Sequence, residues 1–251
     1  MASLAEVVAF LDQELRTKEI TDYPGAMNGL QLENGGDVPR IIAAVDASLR
    51  TIEAAAAGGP GLLIVHHGMF WSGTQPVTGP FYRKLKVAME AGLAIYSSHL
   101  PLDFHPEWGN NVRLAKAIGL ENLQPFMVSK GQAMGLKGTW SQGRKILKVR
   151  VEDAVSGPVH LCPGGKEEVI TVGVVTGGAG SEVAKAAAEG VDAFITGEGP
   201  HWSYPLAEEL GVNLFYAGHY ATETFGVKAL ATMLSQRYGI GWSFLDFPTG
   251  L

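Results

Sequence analysis

Residues 41–71 read IIAAVDASLRTIEAAAAGGPGLLIVHHGMFW, and residues 169–202 read VITVGVVTGGAGSEVAKAAAEGVDAFITGEGPHW. Each stretch is an apolar run, a small-residue turn, an Ala-rich helical segment, a glycine, a second apolar run and a polar cluster. Aligned on the second run, His67 falls on Glu198 and Trp71 on Trp202. The likeness continues: AMEAGLAIYSSHLPLD (88–103) resembles AEELGVNLFYAGHYATE (207–223), with His99 on His219 and Asp103 on Glu223. A His-x-x-x-acid pattern that recurs after recurring strands favours an internal duplication over the likeness that any two strand–helix units share.

The rest of the chain fits this frame. Strands are expected at 41–45, 62–65 and 93–96, with helices near 48–57, 80–91 and 110–118. The second set is 169–175, 193–196 and 212–216, with helices near 181–189, 203–210 and 220–236. The stretch 125–165 is less regular, with extra strands at 133–140 and 159–162 and a helix near 142–154; a last strand fits 241–245. The alternation of strand and helix predicts an α/β fold, with largely parallel strands at the centre of sheets flanked by helices. Two similar halves are expected. The first, 1–125, carries His66, His67, His99 and Asp103; the second, 126–251, carries Glu198, His201, His219 and Glu223.

Composition narrows the function. The 251 residues carry 19 basic and 25 acidic side chains, a formal charge of -6, which disfavours a nucleic-acid binder. Charged residues are only 18% of the chain, against about 25% in an average soluble domain, which hints at an oligomer. The single Cys162 excludes a disulfide framework and a cysteine zinc finger. No apolar run reaches membrane-spanning length, and the opening MASLAEVVAFLDQEL reads as an amphipathic helix rather than a signal peptide. A cytoplasmic setting is the expectation.

Four polar clusters directly follow four strands: His66-His67, His99…Asp103, Glu198…His201 and His219…Glu223. Ligands of open α/β sheets bind beyond the carboxyl ends of the strands, so all four are candidates for one site. Imidazole and carboxylate donors suit Zn, Fe, Mn, Co or Ni. His219 and Glu223 are four apart and can face one way from a helix. His99 and Asp103 share that spacing, although Pro101 between them argues for a loop or a first helical turn. His66 and His67 cannot point the same way from a regular strand but can splay at its end. The common HExxH and CxxC patterns are absent.

The turn Gly177-Gly178-Ala179-Gly180 could hold a phosphate on its amides, or it is a tight turn with Ser181 as helix cap. Ser48 is expected to cap the helix after the first strand, and Asp46 is a weaker site candidate. Trp71, Trp202 and Tyr220 could stack on a flat ring or simply pack. His105 and His160 show no partner pattern and read as structural.

The order Asn28-Gly-Leu-Gln31, Val-Asp46, His66-His67-Gly-Met-Phe-Trp71, His99-Leu-Pro-Leu-Asp103, Gly-Glu198…His201 and Gly-His219-Tyr-Ala-Thr-Glu223 resembles one family over nearly the whole chain. It is the NGG-one-interacting-factor-three-like family of dinuclear metal proteins, also known as GTP cyclohydrolase 1 type 2 homologues. The resemblance implies two interlinked α/β halves, a toroidal homohexamer and two divalent metal ions per chain. It carries the metal ligands onto His66, His67, Asp103, His219 and Glu223, with Asp103 as the shared donor. His99 matches a site histidine and Glu198 a cavity-lining acid. Gly68 departs from the family, where proline is common, and so does Gly199-Pro200-His201-Trp202, where a basic residue and a second histidine are usual.

The first hypothesis is a metal-dependent hydrolase acting on a nucleotide-like or other small substrate, in which Glu198 is the candidate general acid/base and His99 or His201 orients the leaving group. The cyclohydrolase name would make the reaction a purine ring opening at C8 with loss of formate. The competing reading is a non-catalytic metal-binding, metal-delivery or scaffold protein. Threading of nucleic acid through a ring is disfavoured by the acidic balance.

Overall fold

The computed structural model describes residues 2–73, 75–129 and 131–251. The chain opens with the two-residue strand β1 (Ala2–Ser3) and helix α1 (Leu4–Glu14), whose start is fixed by a capping box between Ser3 and Glu6. Then come β2 (Gly29–Leu32), β3 (Asp37–Val38), β4 (Ile41–Asp46), α2 (Leu49–Ala56), β5 (Gly61–His67), α3 (Gly79–Ala91), β6 (Leu93–Ser97) and the one-turn α4 (Leu100–Asp103). Next are α5 (Asn110–Ile118), β7 (Glu121–Ser129), β8 (Gln132–Thr139), α6 (Arg144–Val155), β9 (His160–Pro163), β10 (Thr171–Val174), α7 (Val183–Ala188), β11 (Ala193–Thr196), α8 (Ser203–Leu210), β12 (Asn213–Tyr216) and α9 (His219–Thr222). The last elements are α10 (Thr224–Tyr238) and β13 (Trp242–Phe244). The fold is mixed α/β, as the alternation predicts. Among the described residues no helix is long and apolar enough to cross a membrane.

The chain forms two compact units. One comprises the residues up to Leu102 together with Gly226–Phe247, and the other Asp103–Phe225 with Pro248–Leu251. Both units are therefore discontinuous, whereas two contiguous halves divided near residue 125 are expected from sequence, and Asp103 lies in the second unit rather than the first.

The sheet of the first unit has the order β13-β4-β5-β6-β2. Strands β13, β4, β5 and β6 are parallel, and β2 closes the edge antiparallel to β6. Central parallel strands are covered on both faces, which is why IIAAV, LLIV and LAIY are continuous apolar runs. Ile42, Ala44, Leu63, Val65 and Ile95 pack on Ile52 of α2 and Ala88 of α3. The Ser48 hydroxyl accepts from the Thr51 amide and caps α2, as expected from sequence.

The sheet of the second unit has the order β7-β8-β10-β11-β12-β9. Only β10, β11 and β12 are parallel; β7, β8 and β9 pair antiparallel, so this sheet is mixed rather than largely parallel. Successive residues pack on opposite sides. Ile195 and Phe215 join a core with Leu114, Leu147 and Val151, while Phe194 and Leu214 join one with Val183 and Ala207. Each unit thus holds three consecutive parallel strands linked by helices; β13 adds a fourth parallel strand in the first unit, and antiparallel strands flank both sides of the three in the second.

Two sequence expectations change. The helix expected over 220–236 is broken at Glu223 into α9 and α10, because Glu223 leaves helical geometry at φ -103° and ψ 3°. Ser181 does not cap α7: a 3-10 turn over Gly180–Glu182 intervenes and Glu182 is the residue before the helix.

Candidate metal centre

In the first unit, β5 runs as far as His67, so both histidines sit on its final residues and splay to the two neighbouring strands. His66 is fully buried and its Nδ1 donates to the Ser98 carbonyl, 2.9 Å away, just past β6. His67 lies opposite Asp46 in the β4–β5 register, and its Nδ1 donates to Asp46 Oδ1 at 2.8 Å. His99 follows β6. Its Nδ1 donates to Asp22 Oδ1 at 2.9 Å and its amide to Asn28 Oδ1 at 2.7 Å.

Asp22 also accepts from the Tyr23 and Leu100 amides and from Asn28 Nδ2. Burial works against its charge, yet His99, Asn28 and the Tyr23 amide hold its carboxyl below the usual range. The three imidazoles converge: ring centroids are 4.8 Å apart for His66–His67, 4.9 Å for His66–His99 and 5.7 Å for His67–His99. One ligand atom from each lies within 4.8 Å of the others.

The donor chemistry fits a divalent ion. A metal needs a neutral imidazole with an outward lone pair, and the partner of the other ring nitrogen decides which nitrogen offers it. In all three histidines a fixed oxygen holds the proton on Nδ1, leaving Nε2 as the donor atom.

The second unit repeats the device. His219 opens α9 after Gly218, a glycine at φ +88°. The His219 Nδ1 donates to Glu198 Oε1 at 2.9 Å, and Nε2 lies 3.2 Å from Glu223 Oε1. Burial alone would lower the His219 pKa, but Glu223 and Glu198 outweigh it and raise it to about 9. Glu223 is almost wholly buried. Asp103 is buried as well; its Oδ1 accepts from Asn110 Nδ2 at 2.7 Å and its backbone carbonyl from Asn111 Nδ2 at 3.1 Å.

The glycine turn serves this cluster. Its amides donate within the chain: Gly177 to Thr222 Oγ1, Ala179 to Thr196 Oγ1 and Gly180 to the Glu198 carbonyl. Those three donors are not offered to a phosphate, which leaves the tight-turn reading. Gly177 has φ +71°, and a Cβ there would sit 2.3 Å from Glu223 Oε1. The bare backbone lets the turn lie against the carboxylate.

The family whose sequence profile matches, over residues 2–248, is Duf34/NIF3 (NGG1p interacting factor 3). The chain belongs to this family. A Deinococcus radiodurans relative called "GTP cyclohydrolase 1 type 2 homolog" is 42% identical over 98% of this chain and 94% of its own. A Pyrococcus abyssi protein of the same name is 42% identical over 98% of each. The crystal structure of a Thermus thermophilus protein matches with a TM-score of 0.91 and 38% identity, covering 99% of this chain and 100% of that one.

Within this NIF3-family chain, several predicted residues occupy other surroundings. His201 is exposed and lines a cavity of about 400 Å³ with His160, Tyr204 and Tyr216. Tyr220 is buried, whereas Trp71 and Trp202 are partly exposed. Trp71 stands edge-on to His99, with centroids 4.8 Å apart. His105 is structural, stacking on Trp108 and accepting from the Glu107 and Trp108 amides.

Asp22, Asn110 and Asn111 escaped the sequence reading. No short-range spacing links Asp22 to a histidine 77 positions away. The Asn28…Gln31 motif acquires roles: Asn28 holds the His99 backbone, and Gln31 accepts from the Met69 amide at 2.7 Å. At Gly68 a Cβ would meet the Gln31 amide group at 2.2 Å, so the bare backbone makes room for that side chain.

Proposed function

We propose that this chain is a dinuclear metal protein that hydrolyses a small nucleotide-like substrate. The proposed ligands are His66, His67, Asp103, His219 and Glu223, and the ions are two divalent ions per chain from among Zn, Fe, Mn, Co and Ni. One observation carries the reading: the three ligand imidazoles, His66, His67 and His219, each have Nδ1 bound to an oxygen, which presents Nε2 as donor, and His99 beside them is held in the same way. The relatives' shared name supports a hydrolytic ring-opening reaction.

When bound, such ions supply Lewis acidity and make water a stronger acid. The chain's own groups do the rest. Asp46, Asp22 and the Ser98 carbonyl hold protons on their imidazoles, and Asn110 orients Asp103. Glu198 holds His219 through one oxygen; its half-exposed carboxylate can move a proton to or from substrate through the other. His99 and His201 are the proposed leaving-group contacts. A cytoplasmic homohexamer is the proposed assembly, checked by the solution mass.

The test is metal analysis of the purified protein beside the His66→Ala/Glu223→Ala variant. About two ions per chain, lost in the variant, support the centre. No metal after reconstitution would overturn it. A screen of GTP and other nucleotides follows, with Glu198→Gln expected to lose turnover while keeping its ions. Metal without turnover across the screen would favour the metal-delivery reading.

A further inference from the structure

We propose that the cavity lined by His160, Gly199, Pro200, His201, Tyr204 and Tyr216 is a binding site for a planar heteroaromatic ring. The site lies wholly in the second unit, where its position follows from topology. Tyr216 is the last residue of β12 and His160 the first of β9, and the two are directly paired in the antiparallel register. The loop carrying Gly199, Pro200 and His201 follows β11. The cavity therefore sits at the carboxyl ends of two adjacent parallel strands, where open α/β sheets bind their ligands.

The walls suit a flat ring. His160 and Tyr216 lie nearly parallel, 14° between planes with centroids 6.4 Å apart, and Tyr204 leans over His160 at 5.7 Å. The platform is braced from below. The Tyr216 hydroxyl bonds to Ser203, which is fully buried and donates in turn to the Pro200 carbonyl, so the Tyr216 hydroxyl is the donor in that pair. Gly199 keeps the loop flat against the tyrosine, since a Cβ there would come within 3.0 Å of Tyr216 Cε1 and Oη. At about 400 Å³ the space is in the range of small-molecule sites, which pair aromatic walls with a few polar groups. Imidazole nitrogens and phenol hydroxyls both donate and accept hydrogen bonds, which matches the mixed edge of a heteroaromatic ring. An aliphatic ligand would gain no stacking on these rings.

His201, proposed above as a leaving-group contact, takes a ring-binding role here that does not depend on the metal ions, and the two roles are tested apart. Nicotinamide is titrated into the protein while the ring C2 proton signals of His160 and His201 are followed by NMR, assigned with His160→Ala and His201→Ala. Cyclohexanecarboxamide, similar in size but saturated and puckered, is the control. Both histidine signals should shift with nicotinamide, with a Kd of the order of millimolar for so small a ligand. Affinity should fall at least about fivefold in Tyr204→Ala and in His201→Ala, whose altered residue is exposed and spares the fold. The same titration of His66→Ala/Glu223→Ala should give an unchanged Kd. Absence of shifts, equal binding of cyclohexanecarboxamide, unchanged affinity in both single variants, or loss of binding in the double variant would each overturn the proposal.

Discussion

Asp22 and His99 are 77 residues apart in the chain, yet the carboxylate of one receives the Nδ1 proton of the other at 2.9 Å. Asp22 is only 5% exposed at its side chain and takes three further donors, two of them backbone amides. The imidazole is thereby fixed both in direction and in tautomer. His99 stands with His66 and His67 in a group able to hold an ion, so Asp22→Ala tests whether it also ligates: ligation predicts a loss of about 10–100-fold in metal affinity, the usual effect of removing the partner of a ligating histidine. Competition with a chromogenic chelator measures this, and wild-type affinity would refute a role for Asp22 in orienting a ligand.

Glu198 allows a finer separation. In Glu198→Gln the side-chain carbonyl oxygen can still accept from His219 Nδ1, so that variant should retain metal. Glu198→Ala removes the acceptor and should cost affinity, again by about tenfold or more. Equal metal content and affinity in both variants would leave Glu198 without an orienting function.

Gly177→Ala tests the turn beneath Glu223. The substitution puts a Cβ at φ +71°, which costs about 1–2 kcal/mol, and drives it to 2.3 Å from a carboxylate oxygen. A lower Tm should come with reduced metal content, because Glu223 must move. Gly190→Ala is the control: it shares the positive φ of +75° but meets nothing within 4 Å, so it should lower Tm without touching metal content. Identical metal loss in both would sink the explanation.

The His219 imidazole gives a pH signature. Its folded pKa of about 9 lies above the ordinary 6.5, with the carboxylates Glu223 and Glu198 outweighing the effect of burial. In the metal-free chain that stabilisation is complete below about pH 6.5 and is lost as pH rises through about 9. Tm should therefore fall between about pH 7 and pH 9.5 in the metal-free protein. Metal affinity should rise over the same interval, because an ion competes with the proton for Nε2. Melting curves with and without chelator decide it; a flat metal-free Tm contradicts the pairing of His219 with its acids.

The histidines and acids at or just past the ends of β5, β6, β11 and β12 were legible because each follows an apolar run that ends abruptly. Their orienting partners were not. Asp22 sits in an irregular loop, and Asn110 and Asn111 open a helix where asparagine reads as an ordinary polar residue. Strand β7 was missed for a physical reason: Pro125 interrupts it, and Asn122 and Met127 adopt positive φ, so no alternation shows. It survives as the edge of its sheet, where a missing N–H is tolerated. The break at Glu223 was hidden because YATETFGVKALATML looks helical throughout, with no glycine or proline at the residue where the helix stops.

The return of Gly226–Phe247 to the first unit has a consequence for biosynthesis. Strand β13 pairs with β4 through Trp242–Ile41 and Phe244–Ala43, about two hundred residues upstream. A ribosome releases β4, β5 and β6 long before it makes their last parallel neighbour, and the whole second unit emerges in between. The nascent first sheet must wait with the β4 edge unpaired, exposed to strand exchange with other chains. Premature release of the polypeptide after Phe225 would leave that edge open for good, whatever the state of the second unit.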